Sequence, residues 1–440
     1  MSTIRVLAVL LLVAVLAGGA LAGRDALQVA TGYSAKQMCS GVFVAGLPQE
    51  FLRERDIAPT MAMLGPLRGL LRVRARPGEG DAVASLFGAR ARAVHRAGQG
   101  CSLHLDGRGD PPLPPPAVAS TVARVPPALS AAVERAFSEP EGGGRNTLAL
   151  LVSQGGELLL ERYAPPVTAA TRLQGWSMNK SLMVTWIHLQ VRRGGLDPSQ
   201  PVAALLAGEE AAAALEPSLT LSHLTQMESG LDFVEMYGPG SDVTRMLYRS
   251  EAMWQVPAAR PQEHPPGSHF AYSSGDTVLA SYLWQRSLDV PYAAWIERHF
   301  ATPLGIESLV AEADASGVQV GSSFSYMSAR DWLRAGQLWL DAWHGRSPLV
   351  ERDWMRDAVS PRPSDERGRY GRGFWLNTGG VSFHGVPESL FYASGHNGQY
   401  VIVVPEWELV VVRLGLTHGG TGSGVGEFLR ALAAERGLAL

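Results

Sequence analysis

Few folds are open to a chain whose one heptapeptide, Gly175-Trp176-Ser177-Met178-Asn179-Lys180-Ser181, runs straight into a long apolar stretch that stops at Gly194-Gly195. If Ser177 opens a helix, Lys180 stands one turn above it on the same face, within hydrogen-bond reach of the hydroxyl. A serine hydroxyl is a poor nucleophile until a neighbouring base takes its proton, and a desolvated lysine can be that base. The opening turn also carries free backbone N–H groups and the positive end of the helix dipole, which suit a developing oxyanion.

A lone Ser-x-x-Lys arises often by chance, and lysine usage sharpens this one. Of the 38 lysines and arginines only Lys36 and Lys180 are lysines. Arginine replaces lysine freely on a solvated surface, but it does not give up its proton and cannot act as a base. A lysine retained one turn after a serine therefore points to chemistry rather than to solvation of a helix end.

At 440 residues the chain is long enough for one large domain and a smaller one. Its 46% apolar and 18% charged residues describe a globular protein. The net charge of −3, with mixed signs throughout, suggests neither nucleic acid nor an anionic surface as partner. No solenoid period recurs. No H-E-x-x-H or paired His/Cys spacing appears among the 11 histidines, so neither a metal nor another cofactor is implied.

Residues 1–22 read as a signal peptide or membrane anchor. Arg5 is followed by an unbroken apolar run and by Ala20 and Ala22 in A-x-A spacing. The run is also just long enough to span a bilayer. The expected location is therefore exported, in the periplasm or on the extracytoplasmic face of the inner membrane. Two cysteines, Cys39 and Cys101, fit such a compartment as a disulfide. Closing a loop of about 60 residues, it would contribute about 4 kcal/mol if unstrained.

Residues 23–105 read as a small N-terminal α+β unit without a catalytic pattern. A strand is expected over Leu71–Arg76 and a turn at Pro77-Gly78-Glu79-Gly80. Ala82–Phe87 and Ala89–His95 then form two elements whose alanine content leaves strand against helix open. Residues 106–127, with Pro111-Pro112-Leu113-Pro114-Pro115-Pro116, read as a stiff linker. The second domain, 128–440, opens with a helix near Ala128–Phe137. A hairpin follows, Thr147–Ser153 and Glu157–Tyr163 around Gln154-Gly155-Gly156. After a largely helical stretch from about 200 to 360, strands return at Gly371–Leu376, Leu390–Tyr392, Gln399–Pro405 and Leu409–Gly415. A last helix spans Gly424–Arg436. Strands at both ends with helices between them suggest an antiparallel sheet flanked by helices.

A Ser–Lys pair still needs a proton relay and donors for the oxyanion. Pro265-Pro266-Gly267 fixes a loop that would present Tyr272 and Ser274 together. A phenol beside an ammonium has a lowered pKa and can pass a proton. Further on, Gly395-His396-Asn397-Gly398-Gln399 enters a strand, and its glycines let a substrate come close. The N–H of Gln399, paired with that of Ser177, could form the oxyanion hole.

In this order on one domain, Ser177-x-x-Lys180, Tyr272-Ser273-Ser274 and His396-Asn397-Gly398 resemble the serine β-lactamase and penicillin-binding superfamily. More closely they resemble its class C-like esterase and 6-aminohexanoate-dimer hydrolase branch. Leu219–Leu231, Tyr370–Trp375 and Gly395–Gln399 are similar to that family's flanking segments, so the resemblance covers about 128–440. It implies an α/β (α+β) fold of the β-lactamase/transpeptidase type, an antiparallel sheet with a helical lobe and the active site between them. By the resemblance Ser177 is the acylated nucleophile, Lys180 its base and Tyr272 the relay. Ser274, His396, Asn397, Gly398 and Gln399 would line the oxyanion and substrate site. Class C β-lactamases carry Tyr-x-Asn where this chain has Ser274, and Lys-Thr-Gly where it has His396-Asn397-Gly398. A histidine in place of that lysine supplies a poorer anchor for a substrate carboxylate. Small-molecule esters or linear amides are thus favoured over β-lactams. The alternatives are a D-amino-acid peptidase or transpeptidase acting on cell-wall peptide, and a catalytically silent binding protein of the same fold.

Overall fold

A computed structural model describes residues 3–117, 125–238 and 240–438, with side chains from residue 23 onward except at Ala214. The apolar leader read over 1–22 falls outside the described side chains, and 118–124 of the proline-rich stretch lie outside the described residues. Among the described residues no helix is long and apolar enough to cross a membrane.

The main sheet has six antiparallel strands. In spatial order they are β10 (Trp375–Leu376), β11 (Phe391–Gly395), β12 (Gln399–Val404), β13 (Leu409–Gly415), β5 (Thr147–Gln154) and β6 (Glu157–Tyr163). Its central strands are β-branched on both faces, which a sheet covered on both sides requires. Val401, Val403, Val410 and Val412 face one core, and Ile402, Val404 and Val411 face another. Each such side chain, fully buried, contributes about 1.5–3 kcal/mol. Two helices, α2 (Ser130–Phe137) and α7 (Val425–Arg436), cover the second face through Val133, Phe428 and Leu429. The first face receives α3 (Met178–Arg192) and α6 (Ala329–His344). On α6 a Cβ at Gly336 would stand 2.5 Å from Val410 and 2.7 Å from Val401, so the glycine sets how closely this helix lies on the sheet.

Beside this layer is the helical lobe, which includes α4 (Asp242–Arg249) and α5 (Ser274–Arg286). A small three-stranded sheet joins β7 (Leu173–Gln174), β9 (Ser325–Met327) and β8 (Val310–Ala311). It ties the residues just ahead of Ser177 to the lobe.

The N-terminal unit is a 41-residue helix, α1 (Thr3–Phe43), laid on a four-stranded antiparallel meander. Its strands are β1 (Arg72–Arg76), β2 (Asp81–Leu86), β3 (Ala89–Arg96) and β4 (Gly100–Leu103). The alanine-rich elements left open by the sequence are therefore strands, and alanine serves there to admit α1. Ala82, Ala84 and Ala93 are buried against it. Cys39 of α1 and Cys101 of β4 are joined in a disulfide with their Cα atoms 6.0 Å apart. Residues of this unit, among them Tyr33, Met38 and Phe43, share one hydrophobic core with Trp176 and the lobe.

One expected strand is overturned. Gly371–Leu376 is strand only at β10, because the preceding residues form a close-fitting loop. A Cβ at Gly371 would meet the Ala358 carbonyl oxygen at 2.2 Å. Gly373, at φ +75°, passes Val184 and the Lys180 carbonyl.

Candidate active site

Helix α3 is buried on every side from Met178 to Gln190, which is why its sequence is apolar without a strong stripe. Its entry is unusual. Trp176, buried at 1% exposure, holds φ +50°, a left-handed conformation that costs a bulky residue free energy and survives only when its surroundings enforce it. Two close approaches do so. A Cβ at Gly175 would lie 2.3 Å from the Trp332 ring, and one at Gly395 would lie 2.1 Å from the Gly175 carbonyl. The turn before Ser177 is thus clamped between α6 and the end of β11.

A serine at a helix start ordinarily caps the first backbone N–H groups. Ser177 does not: its hydroxyl makes no capping bond and instead accepts a hydrogen bond from Lys180 Nζ at 3.1 Å. Lys180 is 1% exposed, and its ammonium also donates to Ser274 Oγ at 2.9 Å. The ring of Tyr272 lies over the same ammonium, its centroid 4.7 Å from Nζ, and packs against Tyr370 and Trp375. So Ser177, Lys180, Tyr272 and Ser274, more than ninety positions apart in sequence at the extremes, meet at one ammonium. Tyr272 meets it through the ring face.

Ser274 is the first residue of α5, and a carboxylate absent from the sequence reading sits on that helix start. Glu235 accepts from the Ser274 N–H and from its hydroxyl, both at 2.6 Å. A helix N-terminus and a nearby ammonium both favour a carboxylate. Burial nevertheless outweighs them and raises the Glu235 pKa, with Lys180 and Ser274 pulling the other way. The result is a chain of contacts, Ser177–Lys180–Ser274–Glu235, running from the nucleophile to a carboxylate. Glu235 lies four residues after Leu231 in a loop without helix or strand. Nothing in that loop's pattern marks it in the sequence.

The other loop comes alongside as expected. His396–Gly398 forms a turn between β11 and β12, with Asn397 in the left-handed region at φ +61°. The His396 ring stands edge-on to Trp176 and is stacked on Tyr237, with centroids 5.2 Å apart in both pairs. Burial, helped by His418, lowers its pKa to about 4, so the imidazole is neutral at pH 7. The Gln399 side chain is spent on structure, donating to the carbonyls of His396, Asn397 and Gly415. Its backbone opens β12, in register with Gly395 of β11. Beneath the turn lies Arg413, 1% exposed, which donates to the carbonyls of Asn397 and Gly398 and to Thr147 Oγ1. Buried Asn397 keeps an amide Nδ2 without a protein partner. Arg413 was legible only as one more arginine.

Chemically, the arrangement holds a hydroxyl on a buried amine, a second hydroxyl leading to a carboxylate, an aromatic phenol at the amine and a glycine-flanked strand entry. It can activate a serine for attack on a carbonyl carbon.

Three solved structures illustrate the likeness in fold. A hydrolase with promiscuous acyltransferase activity, EstCE1, superposes with a TM-score of 0.57 at 15% identity, over 70% of this chain and 98% of its own. A penicillin-binding protein homologue from Caulobacter crescentus gives 0.56 at 18% identity, over 72% and 99%. A Bacillus anthracis protein assigned as a 6-aminohexanoate-dimer hydrolase gives 0.56 at 16%, over 67% and 81%. At such identities these likenesses speak for the fold alone. Among curated proteins the sequence finds no match. The β-lactamase family model matches residues 131–435, which hold every group described above, and the chain belongs to that family of serine hydrolases.

Proposed function

We propose that the protein is an exported serine hydrolase that cleaves an ester or amide of a small molecule through an acyl-enzyme on Ser177. The observation that carries this reading is the position of Lys180 Nζ, buried between the hydroxyls of Ser177 and Ser274. In the first step Lys180, as the free amine, takes the Ser177 proton while Oγ bonds to the carbonyl carbon. The backbone N–H groups of Ser177 and Gln399 receive the oxyanion. Tyr272 then passes a proton to the departing alcohol or amine, and the carbonyl re-forms as the acyl-enzyme. Water enters by the reverse sequence and releases the acid. Glu235, reached through Ser274, is the carboxylate to which a proton can pass from Lys180 when it acts as the base.

The neutral His396 supports substrates without a carboxylate to anchor, and so weighs against β-lactams and C-terminal carboxylates of cell-wall peptides. Export to the extracytoplasmic side of the inner membrane is supported by the apolar leader in the sequence and by the Cys39–Cys101 disulfide.

Labelling with a fluorophosphonate, mapped by mass spectrometry, tests the reading. The adduct is expected on Ser177, and Lys180→Arg, which keeps the charge and removes the base, should slow labelling at least about 10³-fold. Absence of an adduct in the parent protein would move the weight to a silent binding protein.

A further inference from the structure

We infer that the N-terminal unit builds a cavity for a long unbranched aliphatic chain beside the nucleophile, so that the substrate is a long-chain acyl ester or amide. The inference rests on the serine-hydrolase reading above and names its substrate class. A cavity of about 750 Å³ opens next to the site, well within the roughly 300–1,000 Å³ of small-molecule sites. Its lining joins two parts of the chain that the family model separates. From the hydrolase domain come Trp176, which directly precedes Ser177, and Gly398, which directly precedes Gln399. From the N-terminal unit come Ala26, Val29, Ala30 and Tyr33 of α1, spaced to share one helix face, and Met61 and Leu64 beyond it. None of the lining residues is Asp, Glu, Lys or Arg. The histidine nearest the nucleophile, His396, is neutral. Neutral polar groups such as Asn397, Thr417 and Ser423 share the lining, and its apolar wall rewards methylene groups, at about 0.8 kcal/mol for each one buried.

The surroundings of the cavity point the same way. Residues 61–70 bring Met61, Met63 and Leu64 to the cavity, with Met63 67% exposed at its edge, and leave Leu67 49% and Leu70 55% exposed. Met236, next in sequence to the lining residue Tyr237, is 75% exposed. The α1 face that lines the cavity begins at Ala26, four residues beyond the apolar leader, or about 6 Å along the helix. Asp25, buried at 6% exposure and paired with Arg245 and Arg249 of α4, fixes that end of the helix to the lobe. An aliphatic chain entering from a bilayer or from solution would therefore meet apolar surface first and the nucleophile turn last. The rings of Trp176, His396 and Tyr237 line the cavity, and Trp176 directly precedes Ser177 in the chain.

The test uses the full chain and p-nitrophenyl esters from two to twelve carbons. The kcat/KM for the twelve-carbon ester should exceed that for the two-carbon ester at least tenfold. Val29→Trp, which fills the cavity, should lower that ratio at least tenfold, and Ala26→Trp at the rim serves if the first variant does not fold. A second readout does not need catalysis. In the Ser177→Ala chain the uncharged methyl ester of dansyl-undecanoate should bind as a probe, and Val29→Trp or Ala26→Trp should weaken it at least tenfold. Faster cleavage of a vesicle-embedded ester than of the same ester free in solution would assign a bilayer as the source, and equal rates would assign a soluble donor. A preference for the two-carbon ester, or probe binding indifferent to both tryptophans, overturns the cavity while Ser177 labelling stands. Loss of Ser177 labelling with probe binding intact overturns the catalytic reading and leaves the cavity.

Discussion

The chain keeps two lysines, one in each part of the molecule, and both are buried at 1% exposure. Their surroundings differ in one respect. Lys36 of α1 is in direct ion contact with Glu312, which follows β8, and donates to Ser40 while lying 4.2 Å over the Phe324 ring. Glu312 is fully engaged in turn, accepting from Ser40 Oγ and from the Cys101 N–H at 2.8 Å each. Lys180 also has an aromatic face and hydroxyls, but its carboxylate, Glu235, stands one hydroxyl away behind Ser274. Burial lowers the pKa of Lys36 and the touching carboxylate of Glu312 opposes that shift, so the pair acts as a fastener, here between the N-terminal unit and the lobe. An ammonium touching hydroxyls has a path by which its proton can leave. The same residue type in the same degree of burial is thus set apart by the distance of one carboxylate.

The largest effect expected from this contrast falls on stability. Lys36→Met leaves Glu312 buried without its counter-charge and should cost about 3–5 kcal/mol, measured by urea unfolding. Ser177 in the folded fraction should still react with a fluorophosphonate. A cost below about 1 kcal/mol would break the contrast, since Lys36 would then fasten nothing. Next comes Tyr272→Phe, which keeps the ring on Lys180 and removes the transferable proton. In the proposed role kcat should fall about 10²-fold or more with folding unchanged. A fall of less than threefold would leave Tyr272 as an aromatic support for the ammonium and nothing else.

Most of the architecture could be read from the chain because its signals are local. Unbroken β-branched runs mark β12 and β13, Gly155-Gly156 marks the β5–β6 hairpin, and Gly194-Gly195 marks the end of α3. Ser177 and Lys180 were legible for the same reason, since three residues on one helix fix their geometry. The misreadings share a cause as well. The strand expected through Gly371–Phe374 gives way to a loop because Ala358 and Lys180, distant in sequence, crowd its glycines. Alanine in β2 and β3 could not declare strand or helix until α1 was known to lie upon them. Glu235 and Arg413 act through partners 39 and 15 or more positions away. No spacing rule joins them to the motif they serve.

The smallest effect, and the sharpest test of the contrast, belongs to Glu235. Its carboxyl pKa is raised in the fold, chiefly by burial, so the folded chain holds this proton more tightly than the unfolded chain does. Its contribution to stability is therefore fully present at low pH and is lost as pH rises through the folded pKa. Its proposed task runs the opposite way, because only the deprotonated carboxylate can draw a proton from Lys180 through Ser274. Activity should thus fall as pH drops through the same range, giving an acid limb above the ordinary carboxylate region. Glu235→Gln preserves the bonds to Ser274 in outline and removes both slopes. The expected result is about a tenfold lower kcat at pH 8 with the acid limb gone. Stability should match the parent at low pH and exceed it at pH 8. If Glu235 only props the start of α5, the stability slope alone will change. The pH–rate profile will then keep its acid limb, and Lys180 must lose its proton by a route that does not pass through Ser274.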